Sequence, residues 1–140
     1  MRYYLSLGSN LGEREQTLHA AIQAIEQQIG TVLRCSSFFY SAPWGFESVN
    51  EFCNLCCLVE TALSPMDILQ ATQAIERSMG RTHKSVDGDY QDRVIDIDII
   101  RAFDEKEKEI VSNDPLLTIP HPLWKQRDFV SVPLREICGE

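Results

Sequence analysis

No stretch of the 140-residue chain approaches the run of about 18 apolar residues that crosses a membrane as a helix. The start, Met1-Arg2-Tyr3-Tyr4, also lacks the long apolar segment of a secretory signal, so a cytoplasmic location is expected. Positive charge is in short supply: 13 Lys+Arg face 21 Asp+Glu, a formal net charge of −8 at pH 7, which opposes broad binding to a nucleic-acid backbone. Nor do the aromatic residues form the strand motifs of an RNA-binding sheet. Neither nucleic acid nor a membrane is expected as a partner, although a local basic patch can still hold a small anion. Repeats, low-complexity blocks and a flexible interdomain linker are all missing, and the length suits one buried core rather than two. One domain over 1–140 is the expectation.

Paired cysteines are wanting as well. Cys35, Cys53, Cys56, Cys57 and Cys138 make an odd count with no secretory context, which argues against a disulfide framework. Cys53-x-x-Cys56-Cys57 invites a metal reading, but a closed zinc site needs four ligands and no second well-spaced Cys/His pair exists. Ordinary buried thiols are expected.

What is present reads as alternating strands and helices. Tyr3-Tyr4-Leu5-Ser6-Leu7 has strand character, and Gly8-Ser9-Asn10-Leu11-Gly12 forms a turn at its carboxyl end. That turn fits neither the three-glycine dinucleotide fingerprint nor a P-loop ending; it is either structural or substrate-lining. Leu18, Ile22, Ile25 and Ile29 recur at helical spacing up to Gly30. A second strand is predicted over 31–40, followed by an aromatic loop, Ala42-Pro43-Trp44-Gly45-Phe46. In a third strand over 51–61, Cys53, Leu55, Cys57 and Val59 share one face; Phe52, Asn54, Cys56, Leu58 and Glu60 share the other. Asn54 needs hydrogen-bond partners or a ligand there.

Ser64-Pro65-Met66-Asp67 is a helix start, with Ser64 as cap and Pro65 in the first position. Ile68, Thr72, Ile75 and Met79 form the inward stripe, and Gly80 ends it. From Thr82 to Asp92 no apolar face holds the chain down, which predicts a mobile loop. Val94–Ile100 is the fourth strand, and a solvated turn follows at 105–109. The order β-α-β-β-α-β gives an α+β, ferredoxin-like sandwich: an antiparallel sheet with helices on one face, plus a carboxyl-terminal extension. Such a fold serves many functions.

The chemistry is concentrated in the fourth strand. Residues two apart share a face, so Asp96 and Asp98 stand together while Ile95, Ile97 and Ile99 pack on the other side. Such a pair either holds Mg2+ against substrate phosphates or is an ordinary solvated edge. Arg81, His83, Lys84 and Arg93 precede the acids, and His121 and Arg127 can return from the tail. Carboxylates that place a metal, together with cations that neutralise phosphate, are what phosphoryl transfer requires. A non-catalytic ferredoxin-like ligand-binding or regulatory module is the competing reading.

Leu7-Gly8-Ser9-Asn10-Leu11-Gly12, Pro43-Trp44-Gly45, Phe52-x-Asn54, Arg93-x-x-Asp96-x-Asp98, Pro120-His121-Pro122 and Arg127-x-Phe129 run in this order across nearly the whole chain. In combination they resemble the 6-hydroxymethyl-7,8-dihydropterin pyrophosphokinases of the folate pathway. The resemblance implies transfer of the intact β,γ-pyrophosphoryl unit of ATP to the hydroxymethyl oxygen of the reduced pterin, with release of AMP. It further implies two Mg2+ ions held by Asp96 and Asp98, with Arg93 and Lys84 also catalytic. By the same resemblance the pterin pocket is Ser41, Ala42, Pro43, Trp44, Phe52, Asn54 and Phe129. ATP is expected at Gln73, Glu76, Arg81, His83, Lys84, Arg93, Ile99, Thr118, His121 and Arg127. The loop after Lys84 departs from the family pattern: it carries Asp87, Asp89 and Asp92 where more basic and tryptophan-bearing sequences are usual, and His83 stands where Arg is familiar.

Overall fold

The computed structural model of the chain describes residues 1–42, 51–80 and 94–138. Strand β1 (Arg2–Ser9) is buried without interruption from Leu5 to its end, as befits a central strand covered on both faces. It pairs antiparallel with β4 (Phe52–Glu60) on one side and β5 (Asp96–Phe103) on the other. Beyond β4 lie β2 (Thr31–Cys35) and β3 (Phe39–Ser41), and beyond β5 the two-residue β6 (Glu109–Ile110). The order β2-β4-β1-β5 is the ferredoxin-like arrangement expected from the sequence. A separate hairpin joins β7 (Ser112–Asp114) to β8 (Leu117–Ile119). The one strand expected over 31–40 is two, because the chain breaks between Cys35 and Phe39 and pairs with β4 a second time.

Helices α1 (Arg14–Gln28) and α2 (Pro65–Ser78) pack on one face of the sheet. Leu18, Ala21 and Ile25 from α1 join Ile68 and Ile75 from α2 against Tyr3, Leu5, Leu7, Leu55, Ile97 and Ile99. Ser64 Oγ accepts the Asp67 N–H at 3.3 Å, so the cap works as its sequence suggested. The extension is more than an appendage. Helix α3 (Asp128–Cys138) lies on the opposite face, where Val130, Leu134 and Ile137 cover Cys56, Leu58 and Ile100. Its far end is tied down by Arg34, which donates to the Ile137 carbonyl (2.9 Å), and by Glu136, which accepts from the Ser37 N–H and hydroxyl.

Gly30 turns α1 back into β2 against the end of β4. A Cβ at this position would collide with the Glu60 carbonyl oxygen and stand 2.9 Å from Thr61 Cβ. Since the obstacle is backbone, it cannot rotate away. Gly30→Ala is expected to cost about 3 kcal/mol through overpacking and to lower the melting temperature by roughly 10 °C. Thermal unfolding followed by circular dichroism checks this; an unchanged midpoint would refute the contact.

Candidate active site

Helix α3 covers only part of the sheet face on which it lies. Antiparallel register puts Asn54, Gly8 and Asp96 in one row across β4, β1 and β5, and puts Cys56, Ser6 and Asp98 in the next. The apolar cover of α3 begins at Cys56, whose thiol points at the Val130 carbonyl (3.6 Å). The first row therefore stays outside that cover.

At the left of this row Asn54 is almost fully buried. Its Nδ2 donates to Ser41 Oγ at 3.0 Å and, at 3.5 Å, leans toward the Phe39 carbonyl. Both partners come from β3, which runs beside β4 with Phe39 opposite Asn54 and Ser41 opposite Phe52. The amide is thus oriented by its neighbours, as a buried polar group demands. Its oxygen reaches over Gly8: a Cβ on Gly8 would lie 2.7 Å from Asn54 Oδ1 and 3.5 Å from Phe52 Cδ1. Glycine is needed here because another group comes close to the backbone. Gly8 is missing from the residues singled out above as site residues, although a glycine ending a buried strand was the available signal.

At the right, Asp96 and Asp98 are half-buried and share the face of Gly8 and Ser6, about 6.7 Å apart along the strand by the ordinary rise. His121 is brought back to them: its N–H donates to the Ile100 carbonyl at 2.8 Å. The Leu123 N–H donates to His121 Nδ1 at 3.2 Å, which leaves the proton of a neutral ring on Nε2. Burial and, next, the Arg127 charge push the His121 pKa below its ordinary value, while Asp96 pulls the other way. Arg127 is buried, with its guanidinium 5.9 Å from the Phe129 ring centroid. Asp96, His121, Arg127 and Phe129 therefore gather from β5 and the tail.

The other expected residues fall into three groups. Pro43, Trp44, Arg81, His83, Lys84 and Arg93, with the loop predicted mobile, lie outside the described residues. Ala42 and Thr118 are exposed, and Gln73 is half-buried on α2. Ile99 turns its side chain into the helix-side core, so only its main chain faces outward. Glu76 is buried and accepts the Ile97 N–H at 2.8 Å. Among the described residues two cavities, about 470 and 220 Å3, open at the far end of the sheet around Arg2 and Glu107, away from this row.

The donor set decides which ion suits the site. Among the described residues no three His, Cys, Asp or Glu side chains converge. Cys53 and Cys57 face the helices while Cys56 faces α3, so these thiols cannot share one ion, and burial pushes Cys56 up to about 12. A pair of carboxylates on one strand face suits Mg2+, which completes its octahedron with water and phosphate oxygens.

Three comparisons bear on this site. Residues 4–139 match the family model described as 7,8-dihydro-6-hydroxymethylpterin-pyrophosphokinase. A Porphyromonas gingivalis protein named 2-amino-4-hydroxy-6-hydroxymethyldihydropteridine pyrophosphokinase is 47% identical over 135 residues, covering 96% of this chain and 89% of its own. A Bacillus subtilis protein of the same name is 36% identical over 138 residues, covering 98% and 78%. The fold is also that of a crystal structure of an HPPK-DHPS in complex with substrates (TM-score 0.71, 15% identity), in which this chain, 97% covered, spans 40% of the other.

Proposed function

The chain belongs to the 7,8-dihydro-6-hydroxymethylpterin-pyrophosphokinase family, and on that premise we propose how its residues carry out the transfer. The enzyme is a 2-amino-4-hydroxy-6-hydroxymethyldihydropteridine pyrophosphokinase of folate biosynthesis. ATP is the donor and AMP the leaving product, and residues 1–140 act as one domain in the cytoplasm. No helix among the described residues is long and apolar enough to cross a membrane.

The observation that carries the reading is the row Asn54, Gly8, Asp96. A flat heteroaromatic ring is recognised by apolar faces and by a fixed amide at its edge. Phe52 and Phe129 supply the faces, with Trp44, Pro43 and Ala42 from the neighbouring loop. Asn54, held by Ser41, reads the edge. Because Gly8 has no side chain, the Asn54 amide can lie close over the backbone and meet the ring's edge, with the hydroxymethyl arm directed toward Asp96. Asp96 and Asp98 would hold two Mg2+ ions, which when bound neutralise phosphate charge and make the attacking hydroxyl more acidic. His121 donates its Nε2–H to a phosphate oxygen, and Arg127 holds a second as a charged fork. Arg81, His83, Lys84 and Arg93 add positive charge around the triphosphate, while Gln73, Thr118 and the main chain of Ile99 line the nucleotide side. Alignment of acceptor oxygen, β-phosphorus and leaving oxygen, together with fixed charge, accounts for the acceleration. A regulatory module gives no reason for paired acids on one strand face beside a buried, oriented amide.

Incubation with ATP, Mg2+ and the reduced hydroxymethylpterin should yield AMP and the pterin diphosphate in equal amounts by mass spectrometry. ADP as the nucleotide product would refute pyrophosphoryl transfer.

His121 gives a pH prediction. Its folded pKa lies below the ordinary value of about 6.5, so the unfolded chain takes up a proton that the folded one refuses. His121 thus lets stability fall as pH drops from about 6.5 to the folded pKa, below which its contribution is flat. A bound triphosphate supplies negative charge and should raise that pKa. Triphosphate affinity is then expected to strengthen as pH falls through the window between the free and bound values. Titration of the imidazole signals by NMR, with and without a non-hydrolysable ATP analogue, tests this; a His121 midpoint unmoved by the analogue would contradict phosphate contact.

A further inference from the structure

Strand β5 has an unusual outer edge. On its inner side it pairs with β1 along its length, but on its outer side β6 meets only Ala102 and Phe103. At Ile97, between the two acids, the outward N–H is taken by a side chain: Glu76 Oε2, reaching across from α2, accepts it at 2.8 Å. Glu76 is only 6% exposed. It stands on the helix side of the sheet, whereas Asp96 and Asp98 project from the other face.

From this geometry we propose that Glu76 is a positioning residue, acting through the Ile97 amide to fix the two acids rather than through contact with the nucleotide. The inference rests on the reading that Asp96 and Asp98 hold the metal. Physically, the Asp96–Ile97 peptide plane sets the direction of both acid side chains, because successive Cβ atoms follow the pleat. Among the described residues the outer edge of β5 is otherwise tied only further along, at Ala102 and Phe103 by β6 and at the Ile100 carbonyl by the His121 N–H, so the plane at Ile97 can tip. A charge-assisted hydrogen bond from a buried carboxylate is about twice as strong as a neutral one, and it holds the plane where β6 does not reach. The arrangement is the outer-shell support that metal-binding carboxylates usually receive, supplied here through the main chain.

The test compares Glu76→Ala with Glu76→Gln, whose amide oxygen can still accept the Ile97 N–H. Amide exchange of Ile97 is read by NMR in the free protein, and Mg2+ half-saturation is read by calorimetry with a non-hydrolysable ATP analogue. Glu76→Ala should speed Ile97 exchange at least tenfold and weaken Mg2+ binding about tenfold or more. Affinity for the analogue in the absence of metal should stay within about twofold, and Gln should restore most of both losses. Should the Ala variant not fold, Glu76→Asp, which withdraws the carboxylate by one methylene, is measured the same way. A metal-free loss of nucleotide affinity that Gln fails to rescue would overturn the inference in favour of direct contact, and unchanged Ile97 exchange with unchanged Mg2+ binding would overturn it outright. Asp98→Asn serves as the control. If it leaves Mg2+ binding intact, the metal reading fails; if it abolishes binding while Glu76→Ala does not weaken it, only the positioning role fails.

Discussion

Asp96→Ala and Asp98→Ala are each expected to lower pyrophosphoryl transfer by about a thousandfold or more, with the fold intact. The size follows from the work assigned to the carboxylates: a metal ion at a phosphoryl centre contributes several kcal/mol of charge stabilisation, and each 1.36 kcal/mol is about tenfold in rate. Stability should hardly change, because both side chains are half-buried and outside the apolar clusters on either face of the sheet. Asp→Asn at the same positions keeps shape and removes charge, so its loss reports charge alone. Turnover at saturating Mg2+ together with thermal unfolding separates the two effects. Near-normal turnover in both alanine variants would end the metal assignment, whereas loss of turnover together with cooperative unfolding would mean that the acids were structural.

The second large effect is expected at Gly8. A methyl group there would meet Asn54 Oδ1 at 2.7 Å and the Phe52 ring at 3.5 Å. The amide would have to swing, breaking its bond to Ser41. Gly8→Ala should therefore weaken pterin binding about a hundredfold, as two misplaced hydrogen bonds and a lost ring contact would. Binding of an ATP analogue should change by no more than about threefold. Asn54→Ala should lose about tenfold in pterin affinity by removing the polar reading while leaving the space open. Separate calorimetric titrations with pterin and nucleotide distinguish these outcomes. Equal losses for the two ligands in a folded Gly8→Ala protein would show that the glycine serves the strand and not the ring.

The contrast between Gly8 and Asn54 shows where sequence reasoning reaches. Asn54 was visible because an amide in an apolar strand contradicts its own pattern. Gly8 was visible as part of a turn that was either structural or substrate-lining, and the choice depends on which side chain from a neighbouring strand crosses above it. Glu76 is similar. On the helix it is an acid next to the inward stripe, and nothing in the local pattern says that it ends against the Ile97 amide.

Period-two alternation in β1, β4 and β5 and period-3.6 stripes in α1 and α2 are local properties, and for that reason the chain alone determined the β-α-β-β-α-β order of the sandwich, its antiparallel ferredoxin-like sheet and the shared face of Asp96 and Asp98, but not the break between β2 and β3 or the strands and helix that follow β5. The ordered motifs determined the family. Register and layering are long-range properties, set by how strands far apart in sequence align and how much surface each helix covers. Only the tertiary structure could place Asn54, Gly8 and Asp96 in one row, end the cover of α3 at Cys56 and return His121 to Ile100. The physical reason is that a row of side chains across a sheet comes from three separate strands, and their relative shift is fixed by burial of the whole core rather than by any one segment.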